Sequence, residues 1–184
     1  DGVIFDENAR YRSGNPYSAT KAGGEELCVA YENTYMMPII ITHTMNVYGP
    51  RQHPEKFIPL IINKVLKGET VEIHSNPDLT KASRRCYLHS DDVSSAIMFL
   101  MNNHDVGEKY NIVYEQESDN LDLAKLIAEI VGKPLKYKLV DPKKTRPRHD
   151  FRYSLSGEKV KRMGWTPKKT LQEGLEDSVS WFLK

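Results

Sequence analysis

Helical segments with marked ends alternate with apolar runs of strand length, and this alternation is the strongest constraint on the fold. Asn15-Pro16 sets an N-cap residue before a proline at the first helical position, so a helix is expected over residues 16–35. Residues 38–45 (PIIITHTM) are β-branched and start apolar on both faces, which suits a buried parallel strand. The turn residues of Asn46-Val47-Tyr48-Gly49-Pro50 are expected to end it. Residues 58–66 place apolar side chains at helical spacing, and 71–74 and 85–89 read as short strands. Ser90 is expected to cap a helix over 91–101, with Asp91 and Asp92 at its positive end. Residues 109–113 read as a strand. Asn120 is expected to cap a helix that reaches Val131 and closes on Gly132. Residues 135–140 alternate as a strand, 156–163 form a short helix, and Thr170 with Glu173 makes a capping box for a last helix. The pattern predicts an α/β fold with parallel strands. Residues up to Gly14 read as loop. Residues 74–84 (HSNPDLTKASR) form a polar, basic loop that is a candidate for binding.

Composition narrows the function classes. Lys+Arg 26 against Asp+Glu 25 leaves a net charge of +1, without the positive excess that general nucleic-acid or membrane-surface binding uses. No apolar run approaches the roughly 18 residues of a membrane span, and no signal-peptide pattern is visible. Cys28 and Cys86 lack CxxC or Cys/His spacing, and His43, His53 and His104 share no ligand spacing, so no metal is expected. A cytoplasmic protein in a reducing compartment is the expectation. Met36, Met37, Met45, Met98 and Met101 are expected to fill core, and Trp165 and Trp181 to anchor packing.

Tyr17 and Lys21 carry the chemistry. On a helix, positions i and i+4 share a face. An ammonium beside a phenol favours the phenolate, so such a tyrosine can serve as a base. The bland alternative is that Tyr17 packs on the core while Lys21 snorkels beside it.

The segment Asn15-Pro16-Tyr17-Ser18-Ala19-Thr20-Lys21-Ala22-Gly23 resembles the active-site helix of the extended short-chain dehydrogenase/reductases. The resemblance continues through Val47-Tyr48-Gly49-Pro50, Pro54-Glu55-Lys56-Phe57-Ile58-Pro59 and Arg85-Cys86-Tyr87-Leu88-His89-Ser90-Asp91-Asp92-Val93. It runs on through Tyr110-Asn111-Ile112, Arg146-Pro147-Arg148-His149-Asp150-Phe151-Arg152-Tyr153, and Gly164-Trp165-Thr166-Pro167 with Gly174-Leu175. These segments, in this order, are similar to the nucleotide-sugar 4,6-dehydratases.

The resemblance implies the C-terminal part of a Rossmann-type NAD-binding domain plus a smaller α/β substrate-binding domain. Residues 1–50 would be a remnant of the Rossmann domain. Residues 51–184 would be mostly substrate domain, with 85–113 returning to the Rossmann sheet. NAD would oxidise the sugar at C4, with Tyr17 removing the O4 proton and Lys21 holding the nicotinamide ribose. Elimination of water across C5 and C6 would follow. Asn46, Arg85 and Arg146 would bind the substrate diphosphate, as guanidinium forks suit. Lys56 and Phe57 would line the sugar–phosphate path, and His74 and His149 the nucleotide end. Lys56 could equally be a solvated lysine at a helix start, and Arg85 a surface ion pair with Asp91 or Asp92. Arg148 and Arg152 read as structural, and His89 as a hydrogen-bonded corner residue.

Departures from the family pattern are His74 in place of a tyrosine, a longer 74–85 loop, Val113-Tyr114 after Ile112, and Phe182. No glycine-rich dinucleotide turn follows a strand, since Gly23-Gly24 falls inside a helix. The chain is therefore expected to be the later part of an enzyme, inactive alone and pairing as a homodimer. Three readings stay open: a nucleotide-sugar dehydratase, a 4-epimerase or decarboxylase of the same superfamily, and a non-catalytic sugar-nucleotide-binding or dimerisation module.

Overall fold

A computed structural model describes residues 3–142 and 152–184. Arg146 and His149, two of the expected substrate ligands, lie outside the described residues. The first element is a short strand, β1 (Ile4–Phe5), and the helix α1 (Pro16–Tyr35) follows it. Asn15 starts α1 as its sequence implies. Its Oδ1 accepts from the Ser18 N–H at 2.9 Å, and the Ser18 Oγ accepts from the Asn15 N–H at 3.2 Å.

The apolar run after α1 is not one strand ended by a turn at Asn46. It forms two strands in line, β2 (Ile41–Thr44) and β3 (Asn46–Tyr48), which take different partners. β2 lies parallel to β6 (Lys109–Ile112), with Ile41 opposite Lys109. After Met45 the chain leaves β6, and β3 lies parallel to β5 (Arg84–His89), with Asn46 opposite Tyr87. The strand persists through Asn46 because β5 satisfies its backbone groups, a tertiary contribution that local turn propensity does not contain. The turn comes at Gly49, where a Cβ would stand 2.5 Å from the Ser90 Oγ at a φ of +154°, so glycine is required.

A second parallel pair joins β4 (Thr70–His74) to β8 (Lys136–Val140), with α2 (Phe57–Lys67) and α4 (Asn120–Val131) packed on each other and against β4. Both helices end on left-handed glycines, Gly68 and Gly132. The strand β7 (Glu117–Asp119) was not expected. It runs antiparallel on β5, the exception to the parallel pairing. α3 (Ser90–Asn102) follows β5, and its cap is His89 rather than Ser90: the His89 Nδ1 accepts from the Asp91 N–H at 3.2 Å. α4 is likewise capped one residue early, by Asp119. The chain finishes with β9 (Ser154–Leu155), which pairs parallel with β1, then α5 (Glu158–Arg162) and α6 (Leu171–Phe182). Thr170 and Glu173 form the expected capping box of α6.

Two buried clusters divide the apolar interior. One gathers Ile58, Ile61, Ile62 and Val65 of α2 with Val71 and Ile73 of β4, Leu123 and Ile127 of α4, and Leu175 and Val179 of α6. The other joins Leu88 to Ala96 and Leu100 of α3, Tyr110 and Ile112 of β6, Val160 and Trp165. A small third cluster of Met45, Cys86 and Val113, with Tyr153 and Leu155 against it, lies where β2 passes into β3. Of the methionines expected in the core only Met45 is buried; Met36 and Met37, which follow α1, and Met98 and Met101 of α3 are exposed. Trp165 anchors packing and donates to the Ser95 Oγ at 2.9 Å, whereas Trp181 is partly exposed.

α1 is different from the other helices: none of its residues is buried. A polar network ties it to the sheet. Glu25 receives hydrogen bonds from Tyr11 and, at 2.9 Å, from His43 of β2, and its carboxylate lies 3.5 Å from the Lys109 ammonium. The other His43 nitrogen is 3.0 Å from the Asn111 Oδ1. Burial alone would raise the Glu25 pKa, but these donors and charges together hold it below the usual carboxylate value. No helix among the described residues is long and apolar enough to cross a membrane.

Candidate active site

Tyr17 and Lys21 occupy the first turns of α1, one turn apart on one face. Tyr17 is 71% exposed, so it does not pack on the core. The Lys21 Nζ lies 5.8 Å from the centre of the Tyr17 ring. The helix presents this pair outward as a phenol with an ammonium beside it, a donor set that can exchange a proton and bind hydroxyl groups.

A second group forms at the strand switch. Asn46 begins β3, at the point where the chain leaves one parallel partner for another. The Asn46 Nδ2 donates to the Cys86 carbonyl at 3.0 Å, and its Oδ1 accepts from the Tyr153 hydroxyl at 3.1 Å. Arg85, on the neighbouring β5, is buried and lays its guanidinium 4.7 Å from the centre of the same Tyr153 ring. Its Nη1 also donates to the Arg84 carbonyl at 2.7 Å. Arg85 is thus no surface partner of the aspartates. Asp91 pairs with Lys169 at 3.1 Å, and Asp92 accepts from the backbone N–H groups of Lys168 and Lys169 at 2.9 and 3.2 Å. Below the group, burial pushes the Cys86 thiol up, which keeps it a neutral packing residue.

The remaining expected ligands are placed less tightly. Lys56 is exposed at the N-terminus of α2 without a side-chain cap bond. Phe57 is half-buried against the α2 core. His74 ends β4, and its carbonyl accepts from the Ser83 N–H at 2.9 Å. The 74–84 loop that follows is a closed turn: the Asn76 Oδ1 accepts from the N–H groups of Thr80 and Lys81 at 2.8 and 2.9 Å. The structure therefore brings Asn46 and Arg85 together, sets Tyr17 and Lys21 as a pair on α1, and leaves Lys56, Phe57 and His74 apart at the ends of α2 and β4.

Arg152 pairs with Glu117 at 2.5 Å. Tyr153 carries no signal of its own in the sequence beyond its place in the segment that starts at Arg146, and only folding brings it against both Asn46 and Arg85. The polar network around Glu25 was missed for the same reason, since its members come from the first loop, α1, β2 and β6. Among the described residues His89, Asp91 and Asp177 form one cluster with donor atoms within 4.8 Å of each other, and the Lys169 ammonium bridges its two carboxylates. A cavity of about 750 Å³ lies away from both groups, lined by residues of mixed charge that include Glu7, Glu108, Lys159 and Arg162. Lys159 and Glu108 neutralise each other there at 2.6 Å.

Comparison with known proteins gives this arrangement its context. The family described as GDP-mannose 4,6 dehydratase matches residues 1–178. dTDP-glucose 4,6-dehydratase 1 of Escherichia coli is 36% identical, over 98% of this chain and 50% of that protein. A trifunctional UDP-glucose 4,6-dehydratase of Arabidopsis thaliana is 39% identical over 91% of this chain and 24% of its own length. The chain thus spans about half the length, or less, of such curated relatives. Among solved structures, DesIV, a dTDP-glucose 4,6-dehydratase from Streptomyces venezuelae with NAD and TYD bound, superposes with a TM-score of 0.89 at 32% identity. It covers 100% of this chain and 55% of its own. The parallel α/β sheets, the helix bearing Tyr17 and Lys21 and a family match over residues 1–178 lead to one conclusion: the chain belongs to the nucleotide-sugar 4,6-dehydratases of the short-chain dehydrogenase/reductase superfamily.

Proposed function

We propose that this chain supplies the proton-transfer pair and the diphosphate-binding part of an NAD-dependent nucleotide-sugar 4,6-dehydratase. The observation that carries the reading is that Asn46 and the buried Arg85, on neighbouring strands, both contact Tyr153, one at its hydroxyl and the other at its ring. A guanidinium fork can meet two oxygens of a diphosphate with parallel hydrogen bonds. Tyr17 is the base that takes the proton from the sugar O4, with the Lys21 ammonium 5.8 Å from its ring centre on the same helix face. Lys56, Phe57 and His74 line the sugar and nucleotide path, with Arg146 and His149 completing the clamp.

The donor set of Tyr17 and Lys21 fits the ribose end of a nicotinamide nucleotide, while no glycine-rich turn in these 184 residues fits its pyrophosphate. When bound, NAD supplies the hydride acceptor. Turnover is therefore expected only when a dinucleotide-binding segment is present alongside this chain. Residues 1–50 belong to the cofactor domain in this reading and the bulk of 51–184 to the substrate domain. The exposed Leu27, Tyr31 and Tyr35 of α1 favour a paired, homodimeric form. A 4-epimerase is the second reading, favoured by a UDP-glucose 4-epimerase from Thermus thermophilus with a TM-score of 0.89 at 28% identity.

Calorimetry of the chain with dTDP-glucose, UDP-glucose and NAD tests the proposal. Binding of one nucleotide sugar, weakened in Arg85→Ala, is the expected result. No binding of either sugar would sink the reading, and tight NAD binding by this chain alone would overturn the assignment of the cofactor site.

A further inference from the structure

Tyr153 is the contact common to the two diphosphate ligands. Its hydroxyl donates to the Asn46 Oδ1 at 3.1 Å, while the Asn46 Nδ2 donates to the Cys86 carbonyl at 3.0 Å. With its oxygen and one amide hydrogen both engaged, the amide cannot turn over. Its second Nδ2 hydrogen is the donor it offers to a ligand. The face of the same ring lies 4.7 Å from the Arg85 guanidinium carbon. Stacking on the ring fixes the plane of the guanidinium, whose Nη1 donates to the Arg84 carbonyl at 2.7 Å.

Tyr153 is itself held from both sides in the chain. Arg152 before it is paired with Glu117 at 2.5 Å, and Ser154 after it enters β9 opposite Ile4. From this geometry we infer that Tyr153 is a positioning residue, which sets the Asn46 amide and the Arg85 guanidinium in one orientation to receive a diphosphate. The inference rests on the nucleotide-sugar reading above and deepens it: diphosphate affinity depends on a residue that need not touch the ligand.

Two substitutions separate the two contacts. Tyr153→Phe keeps the ring and removes the hydroxyl, and Tyr153→Leu removes both. Calorimetry with dTDP and UDP is expected to give roughly fivefold to tenfold weaker binding in Tyr153→Phe, the effect of one lost hydrogen bond. Tyr153→Leu should weaken it further, by about another threefold to tenfold, as the ring face is lost. Thymidine and uridine, which lack phosphates, should respond to neither change. In an Asn46→Ala background, Tyr153→Phe should add no further loss; a purely structural role would give additive losses, and that result overturns the inference. Unchanged diphosphate binding in both variants overturns it as well.

Side-chain NMR of the arginine Nε–Hε groups gives a readout that needs no ligand. The Arg85 resonance should carry the ring-current shift of Tyr153, keep it in Tyr153→Phe and lose it in Tyr153→Leu. An Arg85 resonance indifferent to Tyr153→Leu refutes the contact. If the NMR behaves as expected while the unaltered chain binds neither diphosphate, it is the nucleotide-sugar reading that fails, and the assignment of a ligand-positioning role to Tyr153 falls with it.

Discussion

Asp91 and Asp92 are neighbours in sequence, both in the first turn of α3, yet their replacement should differ severalfold in cost. Asp92 is 4% exposed, and its two oxygens accept from the backbone N–H groups of Lys168 and Lys169 at 2.9 and 3.2 Å. Those residues lead into Thr170, the cap of α6, so the carboxylate ties α3 to the last helix. A hydrogen bond to a charged acceptor contributes about 1.5–3 kcal/mol, so two give about 3–6 kcal/mol. The 168–169 backbone is partly open, and water will meet some of the freed donors. The expected loss for Asp92→Ala is therefore about 2–4 kcal/mol. Asp92→Asn keeps one carbonyl acceptor and most of the volume, and should lose about 1–2 kcal/mol. The Asp91 side chain is 71% exposed and pairs with Lys169 at 3.1 Å. Screening reduces such a pair to less than about 0.5 kcal/mol, which is the expected cost of Asp91→Ala. Urea unfolding at neutral pH, followed by circular dichroism, ranks the three variants. Equal losses in Asp91→Ala and Asp92→Ala, or an Asp92→Ala loss below about 1 kcal/mol, would refute the reasoning.

A Cβ added at Gly174 would stand 2.2 Å from the Tyr48 hydroxyl and 3.0 Å from the His89 Cδ2. Gly174→Ala should thus cost about 1–3 kcal/mol through overpacking, against the usual helical gain from alanine; thermal unfolding will read it. Burial holds the His89 pKa below its ordinary value, with Lys169 adding to the effect and Asp91, Asp177 and Asp92 opposing it. Its share of stability is present above the unfolded value of about 6.5 and is lost as pH falls toward the folded pKa, because the unfolded chain then binds more protons. His89→Asn keeps a capping acceptor without titrating, so its urea midpoint should fall less between pH 7.5 and about 5.5; parallel curves for the two proteins would exclude His89 as the source. The Glu25 carboxyl is held below its ordinary value by Tyr11, His43 and Lys109 despite burial. Its contribution is present above about pH 4.3 and disappears as pH falls through the lower folded pKa, so Glu25→Gln should flatten the acid limb of the stability profile.

Where a structural signal was local, the sequence carried it. Asn15-Pro16 and Thr170 with Glu173 state their helix starts within four residues, because a cap bonds to backbone one turn away. Gly132 closes α4 for an equally local reason. Caps slipped by one position at α3 and α4, where runs of Ser, Asp and Asn offer adjacent candidates. The end of the preceding strand decides between them, and strand ends depend on pairing. β7 is three polar residues with no pattern of their own, a strand only because β5 lies beside it. β3 looked like a turn because Gly49-Pro50 follows it, and the same strand partner extended it.

The candidate site divides along the same line. Tyr17 and Lys21 were legible because four residues on a helix are one turn, whatever else the chain does. The family itself was legible because its segments recur in order along the sequence. Which of the expected ligands would meet was not. Asn46, Arg85 and Tyr153 are separated by up to 107 residues, and a change of strand partner at Met45 brings them together. By itself the sequence determined the helices, the caps of α1 and α6, the alternation that makes a parallel sheet, and the phenol–ammonium pair, since all of these rest on interactions within a turn or two. The tertiary structure alone decided which aspartate is buried, which methionine reaches the core, and which two polar side chains contact Tyr153. Those outcomes depend on contacts between elements far apart in the chain, and such contacts leave no periodic trace in it.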